Sequence, residues 1–302
     1  MQFAKRIFLF IAVNILVVTT ITIVTQLLGI QPYLTANGLN YQSLMAICLL
    51  WGFGGAFISL GLSRIMAKWM MGVKVLSPHD NNPAYRSLVQ RVHQLSEHAG
   101  LPAMPEVGIY ESSDLNAFAT GPTKSRSLVA VSTGLLEQMD KAEVDGVLAH
   151  EVAHIANGDM VTMTLVQGVV NAFVMFFARI AGFAVGNMVD EEKRPMVRFI
   201  TTIIAEIAFS ILGMIVVAKF SRAREYRADA GAAKLSSPHN MIRALEKLKM
   251  NMHGRGQRNE EGNDQAALAS LKISGRPNRF ASLFSTHPDL NDRIERLRSG
   301  SL

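Results

Sequence analysis

The sequence predicts a mostly helical α+β chain, with four membrane-spanning helices and a water-facing part that carries a small β-sheet. Three observations predict it. Four apolar runs, at 3–28, 44–62, 160–178 and 199–218, each approach the ~20 residues that a spanning helix needs. The stretches after the second, third and fourth runs turn polar and charged. Within those, Pro105–Tyr110 and Leu128–Ser132 are short runs rich in β-branched residues that read as strands.

Composition agrees. At 302 residues the chain is long enough for one or two domains with a full core. A hydrophobic content of 49% and a mean hydropathy of +0.21 are high for a soluble protein. The single cysteine, Cys48, lies inside an apolar run, so no disulfide framework holds the fold. A net charge of +6 suits an anionic membrane surface or nucleic acid. Without a recognition helix or a basic, aromatic-studded sheet, the lipid bilayer is the expected partner and nucleic acid is not.

The first run carries charge only at Lys5 and Arg6; it is longer than a signal-peptide core and lacks a small-x-small cleavage site, so it is read as retained. The second ends at Arg64, Lys68 and Lys74, and the loop at 29–42 has no charge. The positive-inside rule therefore puts the N-terminus and the segment after Arg64 in the cytoplasm. Gly52, Gly54, Gly55 and Ala56 are expected to form a close helix-packing surface. From Ser77 the chain becomes polar, and Pro83–Gly100 reads as an amphipathic helix with Leu88, Val92 and Leu95 on its buried side. His79, His93 and His98 have no partner at ligand spacing.

The chemistry begins at 140–158. Asp140 followed by Glu143 is a capping-box start and Asn157-Gly158 a stop, so this stretch is a helix with Val144, Val147, Leu148 and Val152 facing inward. His150 and His154 then lie one turn apart on one face and can reach the same ion, with Glu151 beside them. This is the H-E-x-x-H zinc arrangement. In a second stretch, Glu225 and Asp229 are again one turn apart. A catalytic zinc takes three protein ligands and keeps one position for water, and Glu225 can be the third. Asp229 can accept a ring N–H from one histidine and fix its tautomer.

H-E-x-x-H followed by E-Y-x-A-D, with N-A-F-A-T-G at Asn116–Gly121, resembles the membrane-embedded zinc metalloproteases of the HtpX and CaaX prenyl protease group, and most of all its bacterial HtpX members. The resemblance covers nearly the whole chain. It implies a gluzincin-type metalloprotease domain, one Zn2+ per chain, and hydrolysis of peptide bonds at the cytoplasmic face of a bacterial inner membrane. Unfolded or membrane-protein substrates, quality control under stress and other membrane quality-control proteases as partners are implied with it. Asn116, Ala117, Phe118 and Ala119 would hold an extended substrate by strand addition, which tolerates varied side chains. His287 and Arg293, in the stretch Ser285–Arg293, would line the cleft and hold the oxyanion. In that scheme Glu151 is the base that moves the water's proton to the leaving nitrogen.

The third and fourth runs are interrupted by Gln167, Asn171, Arg179 and Glu206. If His154 and Glu225 bind one ion, the chain between them crosses the bilayer an even number of times. In an antiparallel hairpin Arg179 and Glu206 reach similar depth and can pair. His154 and Glu225 each sit about six residues from an apolar run, which puts the metal roughly 9 Å from the membrane boundary. The expected organisation is thus spanning helices in 1–70, protease domain in 71–158, spanning helices in 159–220 and the rest of the protease domain in 221–302. Residues 253–274 read as a polar loop. Three rival readings remain at this level. A protease cutting inside the bilayer conflicts with Asp140, Lys141, Glu143 and Asp145 ahead of the motif, a scaffold with structural zinc would want a fourth ligand and commonly thiols, and a CaaX-type processing protease would carry more apolar runs.

Overall fold

A computed structural model of the chain describes residues 38, 40–260 and 283–301, with side chains as far as residue 252 in the last helix before the gap. The run at 3–28 and most of the stretch at 253–274 lie outside the described residues. The described elements are α1 (Tyr41–Met70), β1 (Lys74–Val75), α2 (Pro83–His98), β2 (Glu106–Tyr110), β3 (Ala117–Thr123) and β4 (Arg126–Ser132). They continue with α3 (Thr133–Gln138), α4 (Lys141–Asn157), α5 (Asp159–Gly186), α6 (Arg194–Leu235), α7 (Pro238–Glu260) and α8 (Leu290–Ser299). Helix α7 continues to Glu260, into the stretch expected to be a loop, since no proline stops it there.

The chain divides into two compact units, one of residues up to Ser59 with Thr162–Phe220, the other of Leu60–Val161 with Ser221–Leu302. Each division falls inside a helix, α1, α5 or α6, so the units are joined by continuous helices.

In the first unit, Tyr41 and Cys48 of α1 pack with Phe176, Ile180 and Phe183 of α5. Tyr41 meets Phe176 edge to face at 5.7 Å. Gly52 lets the two backbones approach: a Cβ there would stand 2.7 Å from Ala172 N and 3.0 Å from Gly168 O. Of the small-residue cluster only Gly52 and Ala56, one turn apart, are buried; a Cβ at Gly54 or Gly55 would meet nothing within 4 Å. The packing surface is thus a single stripe, because 3.6 residues per turn carry the intervening positions to the other side. Arg179 Nη1 pairs with Glu206 Oε1 at 3.3 Å, as their matched depth predicts.

Helices α1, α5 and α6 are each long and apolar enough to cross a membrane. The fourth expected span is the one outside the described residues. Phe199, Ile203, Ile204, Ile207 and Ile211 of α6 are exposed, an apolar surface suited to lipid. At 42 residues α6 measures ~63 Å, about twice the ~30 Å of a bilayer core. Its apolar part ends near Ala218, which leaves Glu225 and Asp229 on the polar C-terminal portion.

In the second unit the strands run in the order β1-β2-β4-β3, with β2 and β4 parallel and the other pairs antiparallel. Strand β1, two residues long, is too short to leave a periodic signal. Strand β4 is buried on both faces. Leu128 and Ala130 meet Val73 and Tyr110 on one side, while Val129 and Val131 join the main core on the other. That core includes Val92 and Leu95 of α2, Leu148 and Val152 of α4, Leu245 of α7 and Ile294 of α8. Strand β3 is the edge, with a register irregularity between Thr120 and Thr123. Gly121 allows it: its φ is +142°, and a Cβ would stand 2.2 Å from Arg126 O.

Candidate metal centre

The two histidines are placed by a well-bounded helix. The Asp140 carboxylate accepts from Ala142 N and Glu143 N, and Glu143 accepts from Asp140 N, closing the capping box. At the other end Gly158 takes a left-handed φ of 74° and its N–H bonds back into the last turn. Between these ends His150 and His154 are 7% and 9% exposed, their rings nearly perpendicular with centroids 4.6 Å apart.

Glu225, delivered by α6 and 1% exposed, closes a triangle with them. The His150 and His154 Nε2 atoms are 3.1 Å apart. Glu225 Oε2 is 3.4 Å from His150 Nε2, and Oε1 is 3.5 Å from His154 Nε2. Donors at ~2.0–2.1 Å around a tetrahedral ion are themselves about 3.3 Å apart, and the two ring nitrogens, each faced by one oxygen of the same carboxylate, are close enough to share a zinc-sized cation. Among the described residues these three are the set that converges, and three is the number of protein ligands a catalytic zinc takes.

The electrostatics favour a cation. Burial pushes the Glu225 carboxyl up, but hydrogen bonds from His150 and His287 and the neighbouring charges hold it far below the usual carboxylate range. Burial pushes His150 down, and the adjacent Asp229 and Glu225 carboxylates outweigh that and raise it to about 9. The negative surroundings that hold a proton on His150 would equally hold a divalent cation in its place.

Residues 83–301, nearly three quarters of the chain, match peptidase family M48. The chain belongs to peptidase family M48. It is similar over almost its whole length to the Protease HtpX homologs of Bacillus velezensis and Bacillus subtilis. Identity is 55% to each, over 302 and 303 residues, covering 98% of this chain and 99% of theirs. It is 47% identical to the Protease HtpX homolog of Methylacidiphilum infernorum over 297 residues, 97% of this chain and 98% of that one. The crystal structure of S. mikatae Ste24p shares the fold, with a TM-score of 0.58 at 18% identity, covering 92% of this chain and 66% of that longer one. With its apolar helices, the chain is a membrane metallopeptidase, and the scaffold and CaaX-processing readings are not favoured.

Around the ligands this M48 peptidase builds a carboxylate-rich shell. Asp229, 1% exposed, stands 3.0 Å from His150 Nδ1. The ring N–H is not aligned on it, and Nδ1 makes no geometrically complete hydrogen bond. Asp229 is itself gripped at two points by Arg293, Nε to Oδ2 at 2.8 Å and Nη2 to Oδ1 at 2.6 Å. The sequence expectation puts Arg293 beside His287 as an oxyanion donor. The structure engages two of its three nitrogens with Asp229 instead, and Nη1 lies 3.8 Å from Glu225 Oε2. Two buried carboxylates side by side demand a buried cation, and Arg293, 5% exposed, supplies it. His287 does open toward solvent: its side chain is 64% exposed, with Nδ1 3.1 Å from Glu225 Oε2.

Glu151 is half-buried next to His150 on α4. Of the N-A-F-A residues, Asn116 is exposed and precedes β3, while Ala117, Phe118 and Ala119 lie on it, paired to Val131, Ala130 and Val129 of β4. The other edge of β3 carries no strand among the described residues. Sequence reasoning missed two neighbours of the candidate ligands. Arg224 Nη2 lies 3.2 Å from Glu225 Oε1. Asp159 Oδ2 lies 2.7 Å from His154 Nδ1. The only sequence signal for Asp159 is its place directly after the Gly158 stop, where the chain turns back toward the last turn of α4.

Proposed function

We propose that this chain is a zinc endopeptidase that cleaves unfolded or misassembled membrane proteins at the cytoplasmic face of the bacterial inner membrane, as a quality-control protease. The observation that carries the proteolytic part is the convergence of His150, His154 and Glu225, with the two ring Nε2 atoms 3.1 Å apart and a carboxylate oxygen 3.4 and 3.5 Å from each, beside a half-buried Glu151 and a β3 edge that carries no strand among the described residues. The names of the HtpX relatives support the class, and Arg64 and Lys68 near the end of α1, with Lys74 just after it, support the cytoplasmic side.

In this reading His150, His154 and Glu225 hold the zinc. When bound, the metal supplies Lewis-acid activation of a water nucleophile and of the scissile carbonyl. The substrate backbone adds to the free edge of β3 along Ala117–Ala119, with Asn116 at the strand entrance, so that its side chains need not match a template. Glu151 accepts the proton of the attacking water and returns it to the leaving nitrogen. His287 donates to the developing oxyanion from the open side. Arg293 acts behind the site, holding Asp229 against His150. Cleavage of a denatured test protein by the detergent-purified chain, stripped with chelator and refilled with zinc, tests this. Zinc is expected to restore cleavage, and Glu151→Gln is expected to keep the metal while losing at least ~100-fold in rate; equal rates in the two proteins would reject it.

A further inference from the structure

The expected partner of a ligating histidine in this sequence is Asp229, which serves His150. His154 has one too. Asp159, 1% exposed, places Oδ2 2.7 Å from His154 Nδ1, while His154 turns its Nε2 toward the ligand triangle. The other oxygen, Oδ1, receives Arg227 Nη2 at 3.3 Å. We infer that Asp159 is a positioning residue of the metal site, fixing His154 in the tautomer that presents Nε2 to the metal, with Arg227 as the cation that holds it. This rests on the reading of His150, His154 and Glu225 as metal ligands.

A carboxylate on Nδ1 keeps the proton there and leaves the Nε2 lone pair free for metal; without it the ring can carry the proton on Nε2 and turn. The site then consists of two arms of like composition. His154 is hydrogen-bonded by Asp159, which Arg227 holds, and His150 has Asp229, held by Arg293, 3.0 Å from its Nδ1 without an aligned hydrogen bond. The arms differ in burial: the Arg293 side chain is 6% exposed and that of Arg227 58%. The chain explains why Asp159 can reach. Gly158, with φ 74°, turns the backbone at the end of α4, and Asp159, five residues after His154, is the first residue of α5.

A capping role for Asp159 at the start of α5 would be structural only, and metal affinity separates the two. The experiment measures zinc affinity of the detergent-purified full chain by competition with a chromophoric chelator, in wild type, Asp159→Ala, Asp159→Asn, Arg227→Met and His154→Ala. Asp159→Ala is expected to weaken zinc about 10–100-fold, and Asp159→Asn less, because its amide oxygen can still accept the Nδ1 proton. Arg227→Met, at an exposed position where folding is not at stake, is expected to weaken it about 2–5-fold. Wild-type affinity in folded Asp159→Ala, or in Arg227→Met should the Asp159 variants fail to fold, overturns the inference. If His154→Ala also binds like wild type, the ligand reading itself is wrong; if only His154→Ala loses zinc, the ligands stand and Asp159 is a cap.

Discussion

Arg293 and Asp229 form a buried two-point ion pair, with Nε and Nη2 of the arginine 2.8 and 2.6 Å from the two carboxylate oxygens. The pair joins α8, at the end of the chain, to the helix that delivers Glu225. Removing one partner strands the other charge inside the protein, which costs about 3–5 kcal/mol. Arg293→Met is expected to lower the unfolding free energy of the chelator-stripped chain by about that amount, whereas a free oxyanion donor would leave stability unchanged and depress only the rate. Denaturant unfolding with and without chelator distinguishes the two.

Asp145 makes stability depend on acid. On α4, it receives Arg91 from α2, Ser236 Oγ at 2.7 Å and Asn240 Nδ2 at 3.5 Å. Burial pushes its carboxyl up, but the bonds from Arg91 and Ser236 outweigh this and hold it below the ordinary value. A carboxyl lowered by folding stabilises the native state above the unfolded value near ~3.9, and the contribution fades as pH falls through the depressed folded value. Asp145→Asn is expected to be less stable at pH 7 and to show a shallower loss of stability between pH 5 and 3, read by denaturant unfolding across that range.

Arg179 and Glu206 sit in apolar helices with side chains 37% and 39% exposed. Glu206→Leu leaves an arginine unpaired at membrane depth, a cost of about 2.5–3.5 kcal/mol by insertion scales. The exchange Arg179→Glu with Glu206→Arg is expected to recover part of it. Resistance to unfolding by denaturing detergent checks this, and a swap no better than the single variants would show that the pair is incidental.

Gly52 and Gly54 separate packing from composition. Gly52→Ala drives a Cβ to 2.7 Å from Ala172 N, while Gly54→Ala meets open space. The first is expected to cost about 1–3 kcal/mol and the second nothing measurable, by the same detergent-unfolding measurement.

What the sequence determined by itself is local. The helix of His150 and His154 was legible because its signals, Asp140, Glu143 and Gly158, act within one or two turns of the backbone they terminate. Three of the spans were legible because bilayer thickness translates directly into run length. Pairing of Arg179 with Glu206 followed from two counts along antiparallel helices. The tertiary structure decided what those residues face. Whether Arg293 opens into the cleft or closes behind Asp229 depends on how α8 packs 64 residues later in the chain, and no periodicity encodes that. Nothing local marks Asp159 as a site residue; the turn at Gly158 is what brings it to His154. Side-chain direction across a turn, and the demand of buried carboxylates for a counter-charge, are set by distances in space that sequence spacing does not carry.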